Sequence, residues 1–281
     1  MIERSLACLG RHGFHRLAYY EWAGPPNAPT VLCLHGLTRN GHDFDVLAET
    51  LSAEFRVVAL DFPGRGQSEW LSHPEDYVTE TYAVDAAMLI AQLGVEHVDV
   101  VGTSMGGIVG MALAAQPGNP IRRLVINDVG PLIAKAGLKR IRRYVGRDPR
   151  FVDLAALEAT LRWVFVGFGN LPDSTWRRMA EQSARRKSDG SLGFNYDPQI
   201  AVPFKRGWFV RDVLLWNLYD AIACPTLVLR GAGSDILRRA DAEAMTRRGP
   251  HAKLVEFSGM GHAPSLTTSD QIACVRDFLR G

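Results

Sequence analysis

Apolar residues in this chain fall into short, nearly continuous runs separated by stretches with helical spacing. Strands are predicted at 15–22, 30–34, 56–60, 98–101, 123–127, 226–230 and 253–257. Most of these runs are rich in Val and Leu and end in Gly, Asp or Pro. Runs without polar alternation fit strands buried on both faces, which in alternation with helices means a mostly parallel sheet. The run at 15–22 alternates more and reads as an antiparallel edge strand. Helices are predicted at 43–53, 82–93, 105–116, 239–247 and 269–279, with Thr79 or Thr81 as a candidate cap for the second. The expected class is α/β, with a sheet flanked by helices.

One stretch breaks the alternation. Residues 131–212 carry no clear strand pattern and turn to Arg, Trp and Phe at helical spacing. Sixteen Lys and Arg stand there against eight Asp and Glu, so this stretch is +8 while the remainder is −6. A helical cap (131–212) inserted into a core of 1–130 and 213–281 accounts for both position and composition, since long inserts are commonly lids or binding parts. At 281 residues and 47% hydrophobic composition the chain is long enough for one large core. Its net charge of +2 gives no reason to expect nucleic acid or an anionic membrane as partner. No apolar run reaches the ~20 residues of a membrane span, and the first residues lack the apolar core of a signal peptide. Cys8, Cys33, Cys224 and Cys274 are scattered, with no Cys-x-x-Cys pair. A disulfide-free cytoplasmic protein is expected.

The chemistry centres on Ser104, in Val100-Val101-Gly102-Thr103-Ser104-Met105-Gly106-Gly107. A β-branched run entering Gly-x-Ser-x-Gly, with a helical pattern after it, is the form of a nucleophile elbow. A serine hydroxyl needs a base to become a nucleophile, and the base needs an orienting carboxylate. His262, in Gly259-Met260-Gly261-His262, follows the last predicted strand. Asp235, in Gly231-Ala232-Gly233-Ser234-Asp235, follows the strand before it. All three therefore fall at carboxyl ends of strands, where open α/β sheets gather their sites. The oxyanion donors expected are the backbone N–H groups of Met105, next to the nucleophile, and Leu37, in His35-Gly36-Leu37-Thr38 after an early strand.

These motifs, with Asp61-Phe62-Pro63-Gly64-Arg65-Gly66-Gln67-Ser68, stand in an order that resembles the α/β-hydrolase fold superfamily in its lid-bearing, esterase-like branch. The resemblance implies an eight-stranded type of sheet and cofactor-free ester hydrolysis through an acyl-enzyme, with a Ser104–His262–Asp235 triad. A small-molecule ester substrate is implied as partner. Some members take the acid from the position occupied here by Asp128, which is the alternative; Asp235 is preferred because its loop has the commoner form. His35-Gly36-Leu37-Thr38-Arg39-Asn40 also resembles bacterial esterases and hydroxyalkanoate-oligomer hydrolases. Carbon–carbon bond hydrolases resemble the chain less well, because Thr103 replaces their Asn and Leu37-Thr38-Arg39 replaces their glycines. Lactonase and thioesterase chemistry stay open, as does a ligand receptor with a retained triad.

The remaining candidates have plainer readings beside the functional ones. His35 reads as a buttress of the oxyanion loop, and Asp61 as a turn former. Arg39 is a candidate for meeting a substrate carboxylate or a solvated loop residue. Trp163 and Trp208 are candidate substrate contacts, against the common case in which such aromatics pack a lid onto its core. The basic balance of the insert favours anionic substrates by steering. The other histidines show no metal-ligand spacing, so no metal is expected.

Overall fold

The computed structural model describes residues 1–205 and 212–281. Before the insertion the chain forms β1 (Ile2–Gly10), β2 (Gly13–Trp22), β3 (Thr30–Leu34), α1 (Asp45–Leu51), β4 (Arg56–Leu60), α2 (Thr79–Leu93), β5 (Val98–Thr103), α3 (Met105–Ala114) and β6 (Ile121–Asn127). The insertion holds β7 (Leu132–Ile133), α4 (Lys135–Ile141), α5 (Leu154–Val164), α6 (Asp173–Ser183), β8 (Ala184–Arg186), β9 (Leu192–Phe194) and α7 (Val202–Lys205). The chain ends with β10 (Val213–Leu214), α8 (Trp216–Asp220), β11 (Thr226–Gly231), α9 (Arg239–Met245), β12 (Lys253–Phe257) and α10 (Ser269–Arg280).

Eight strands make one sheet in the order β1-β2-β4-β3-β5-β6-β11-β12. The β1–β2 and β2–β4 pairings are antiparallel, and the five from β4 to β12 are parallel. Strand periodicity divides the apolar residues between two cores. Leu32, Leu34, Val58, Leu60, Val100, Leu124, Ile126 and Val228 pack with α2, α3 and α9 on one face. Val31, Cys33, Val57, Ala59, Val101, Val125, Leu227 and Leu229 pack with α1 and α10 on the other. Both faces are covered, which is why these runs lack polar alternation. Each fully buried Val or Leu contributes roughly 1.5–3 kcal/mol of burial.

Two elements differ from expectation. The strand at 15–22 is antiparallel but internal; β1 forms the edge. Ile2–Gly10 alternates only weakly and is mostly exposed, so its pattern gives little strand signal before its pairing with β2 is seen. Helix α2 begins at Thr79, and neither Thr79 nor Thr81 caps it; Val78 is the N-cap, without a side-chain bond. The insertion also contains short strands: β7 pairs with β10 and β8 with β9. They are two or three residues long, below the length at which periodicity can register.

Packing within the insertion changes part of the way along. Ile133, Leu138, Ile141 and Val145 join the main core. From Phe151 onward Leu157, Leu161, Phe168, Leu171, Trp176 and Ala180 form a separate small core.

The loops after β3 and β4 meet through two fully buried titratable groups. His35 donates from Nδ1 to the Gly36 carbonyl (2.7 Å), and its Nε2 accepts from the Phe62 amide (3.0 Å). Burial lowers its pKa to about 3. Asp61 accepts from the Gly41 amide (2.6 Å), the Gln67 amide (2.8 Å) and the Tyr20 hydroxyl (2.9 Å), and burial raises its pKa to about 6. These groups pull stability in opposite directions. The depressed His35 contributes stability that is present above pH 6.5 and lost as pH falls towards 3. The raised Asp61 contributes stability present below its ordinary value of 3.8 and lost as pH rises through about 6. Chemical denaturation of wild type and His35→Gln at pH 7 and pH 5 isolates the histidine. The wild type should lose about 2 kcal/mol more than the variant on acidification; identical pH dependence would show that His35 is not held neutral.

Candidate active site

Strand β5 ends at Thr103, and the chain turns at Ser104 into α3. Ser104 has φ 53° and ψ −115°, a conformation that lifts its side chain out of the turn. The turn is possible only because its neighbours are glycines. A Cβ on Gly102 would lie 2.4 Å from the Gly106 carbonyl oxygen, and one on Gly106 would lie 2.0 Å from that of Leu34. Helix α3 thus starts against the ends of β3 and β5. Glycine is a poor helix former at about 1 kcal/mol relative to Ala, and here close packing outweighs that propensity.

Ser104 Oγ lies 2.9 Å from His262 Nε2, and His262 Nδ1 lies 2.7 Å from Asp128 Oδ2. Since the carboxylate can only accept, Nδ1 carries the proton and Nε2 is free to accept from the serine hydroxyl. Asp128 is completely buried at the end of β6, with φ 57°. The Gly231 amide donates to its Oδ1 (2.8 Å) and the Ser234 hydroxyl to its Oδ2 (2.6 Å). A buried carboxylate without donors would be costly; three converge on this one.

The expectation that Asp235 orients the histidine is corrected by this geometry. Asp235 is partly exposed and takes two hydrogen bonds from Arg140, at 2.5 and 2.9 Å. Burial raises its pKa, but the Arg140 hydrogen bonds and charge outweigh this and hold it below the ordinary value. The loop after β11 does reach the site, through Gly231 and Ser234 instead. Ser234 Oγ also accepts from the Ile236 and Leu237 amides, and this tight turn leaves Asp235 outside.

The Leu37 and Met105 amides donate to no protein acceptor among the described residues. Arg65 fixes the surroundings of both. Fully buried, it donates from Nε to the Leu37 carbonyl (2.8 Å) and from Nη1 to the Pro63 carbonyl (2.7 Å) and the Tyr82 hydroxyl (2.8 Å). Its Nη2 lies 3.8 Å from Met105 Sδ. This role was missed in the sequence, where Arg65 stands in a motif valued for its Asp and Gly residues. An arginine flanked by two glycines within a tight turn was the available signal.

Arg39 is buried and committed. It forms a two-pronged ion pair with Asp43 and donates from Nη1 to Ser183 Oγ (2.8 Å) at the end of α6. Its guanidinium lies 5.1 Å from the centre of the Phe165 ring. Neither reading made for it, free carboxylate binder or solvated residue, matches this arrangement. It ties the loop after β3 to the insertion, with help from Asn40, which donates to the Gln182 carbonyl (2.9 Å).

A cavity of about 180 Å³ lies between residues 38–40 and the insertion. Trp163 lines it and is 74% exposed, which puts this ring at the rim. Trp208 lies outside the described residues. The insertion also touches the histidine loop directly. The Gly261 amide donates to the Gly167 carbonyl (2.8 Å), and a Cβ on Gly167 would meet the His262 backbone at 2.8 Å. No group of three or more metal-ligating side chains occurs among the described residues, and no helix there is long and apolar enough to cross a membrane.

Comparison with known proteins agrees with this architecture. The chain is 42% identical over 281 residues to a 3-hydroxybutyrate-oligomer hydrolase of Cupriavidus necator, covering 98% of this chain and 96% of that protein. It is 30% identical over 238 residues to a 2-(acetamidomethylene)succinate hydrolase of Mesorhizobium japonicum, covering 84% and 82%. An alpha/beta hydrolase structure from Novosphingobium aromaticivorans matches with a TM-score of 0.88 at 36% identity, covering 99% of this chain and 98% of that one. Residues 29–268 match the alpha/beta hydrolase fold family, and the chain belongs to that family.

Proposed function

We propose that this hydrolase is a serine esterase that cleaves esters of short hydroxy acids, of the kind found in 3-hydroxybutyrate oligomers, through an acyl-enzyme. The observation that carries the reading is the hydrogen-bonded series from Ser104 through His262 to Asp128, at 2.9 and 2.7 Å. The substrate class is supported by the relative of Cupriavidus necator, which matches along nearly the whole of both chains.

In this mechanism His262 Nε2 takes the Ser104 proton as Oγ attacks the ester carbonyl. Asp128 holds the ring in the required tautomer and stabilises the imidazolium. The Leu37 and Met105 amides receive the oxyanion, each worth ~3–4 kcal/mol of transition-state stabilisation. Their directions are held by the Arg65 bond to the Leu37 carbonyl and by the start of α3. The imidazolium then protonates the departing alcohol. Water, deprotonated by His262, attacks the acyl-enzyme and releases the acid. The insertion acts as a cap, enclosing the ester beside Ser104.

Hydrolysis of short-chain chromogenic esters by single variants tests the assignment. Ser104→Ala should lose about 10⁶-fold in kcat and remain folded by circular dichroism. A fluorophosphonate should label the peptide containing Ser104 in wild type only; substantial turnover by Ser104→Ala would remove it as nucleophile.

The two carboxylates separate cleanly. Asp128→Asn should lower kcat about 10⁴-fold, because an amide can present the wrong partner to Nδ1. Asp235→Asn, which removes a partly exposed ion pair, should stay within a few-fold of wild type. The reverse ranking would return the acid to Asp235.

A further inference from the structure

The cavity between the oxyanion loop and the insertion has an unusual balance of charge. Among the described residues two arginines line it, Arg39 and Arg147, and no Asp, Glu or Lys does. Arg39 is neutralised by Asp43. Nearby, Arg150 pairs with Asp189 (2.7 Å) and Lys187 with Asp148 (2.6 Å); Arg142, Arg143, Arg185 and Arg186 make no ion pair among the described residues, but none of them lines the cavity. Arg147 makes no ion pair among the described residues. Its backbone is nevertheless held in place, since its amide donates to the Tyr144 carbonyl (3.2 Å) and its carbonyl accepts from the Tyr196 hydroxyl (3.2 Å). Both tyrosines line the same cavity.

The cavity also has a direction. At one end lie residues 38–40, which follow the Leu37 amide directly. A Cβ on Gly36 would be 3.7 Å from Ser104 Cβ and 3.9 Å from Arg39 Cγ, so Gly36 links the cavity's loop to the nucleophile. Arg147 stands on the insertion side. Tyr144, Phe151, Phe165, Phe194 and Tyr196 supply aromatic surface to the same cavity. Phe151 meets Phe194 edge-to-face at 5.1 Å, and Phe194 stacks on Tyr196 at 5.8 Å. Such walls suit a short aliphatic segment and offer nothing to a second charge.

We propose that Arg147 anchors the free carboxylate of a monoanionic ester whose carbonyl sits at Ser104, with the aliphatic segment between them against the aromatic walls. This deepens the esterase reading and rests on it. It assigns the carboxylate-binding role to Arg147, where the sequence had suggested Arg39. Arg147 is itself exposed and so stands at the mouth of the cavity, where its planar fork can meet a carboxylate in a charge-assisted, two-pronged hydrogen bond. Arg147 thereby selects acids over their neutral esters.

The test compares the linear 3-hydroxybutyrate dimer, its carboxylate free, with the methyl ester of that dimer. Wild type should prefer the free acid. In Arg147→Gln the free-acid to methyl-ester ratio of kcat/KM should fall about tenfold, chiefly through KM for the acid, and Arg147→Lys should restore part of it. A ratio that does not move in Arg147→Gln overturns the proposal. A wild type that hydrolyses neither dimer counts against the esterase reading instead. The cavity is then judged by calorimetric titration of 3-hydroxybutyrate into Ser104→Ala with and without Arg147→Gln. Binding that weakens about tenfold with the glutamine supports the anchor, and equal binding or none overturns it.

Discussion

A buried carboxylate organises this molecule's working end. Asp128 has no solvent to satisfy it, so the chain must bring donors to it, and it does so from separate parts of the sequence. Gly231 ends β11, Ser234 comes from the turn after it, and His262 comes from the loop after β12. Each donor belongs to a segment that would otherwise be a surface loop free to vary. Leaving such a group unsatisfied costs several kcal/mol, comparable to a large part of the net stability of a domain. Convergence of these loops is thus a condition of folding, and the geometry at Ser104 follows from it.

The sheet and the elbow were legible because their physics is local. Continuous Val and Leu runs report two-sided burial, and Gly102 and Gly106 report close backbone approach, each within a few residues. The histidine was legible for the same reason, as the polar residue of a Gly-rich turn after the last strand. The acid was not. Asp128 and Asp235 each follow a strand, and only the packing decides between them: the turn at Ser234 sends one side chain inward and the next towards Arg140. Arg65 and Arg39 were obscure on similar grounds, since each binds a partner far along the chain, Leu37 for Arg65 and Ser183 for Arg39. Arg39 finds Ser183 across 144 positions, a separation that no periodicity encodes.

The insertion's surplus of positive charge has a simpler physical content than its total suggests. Many of its arginines are held by carboxylates of the insertion or of the core, as with Arg162 and Glu158, or Arg140 and Asp235. Exposed pairs of this sort add little stability, but they cancel much of the local field. Electrostatic selectivity therefore depends on where an unpaired cation stands, and the summed charge of a segment is a poor guide to it.

The contact between Gly167 and Gly261 has a consequence for the loop that carries His262. The backbone of the insertion is hydrogen-bonded to the residue immediately before the histidine. Any swing that parts these two peptides withdraws support from the loop carrying His262. On the proposed mechanism, ligand admission and readiness of the base become linked equilibria, so a guest that holds these two peptides together also steadies the imidazole.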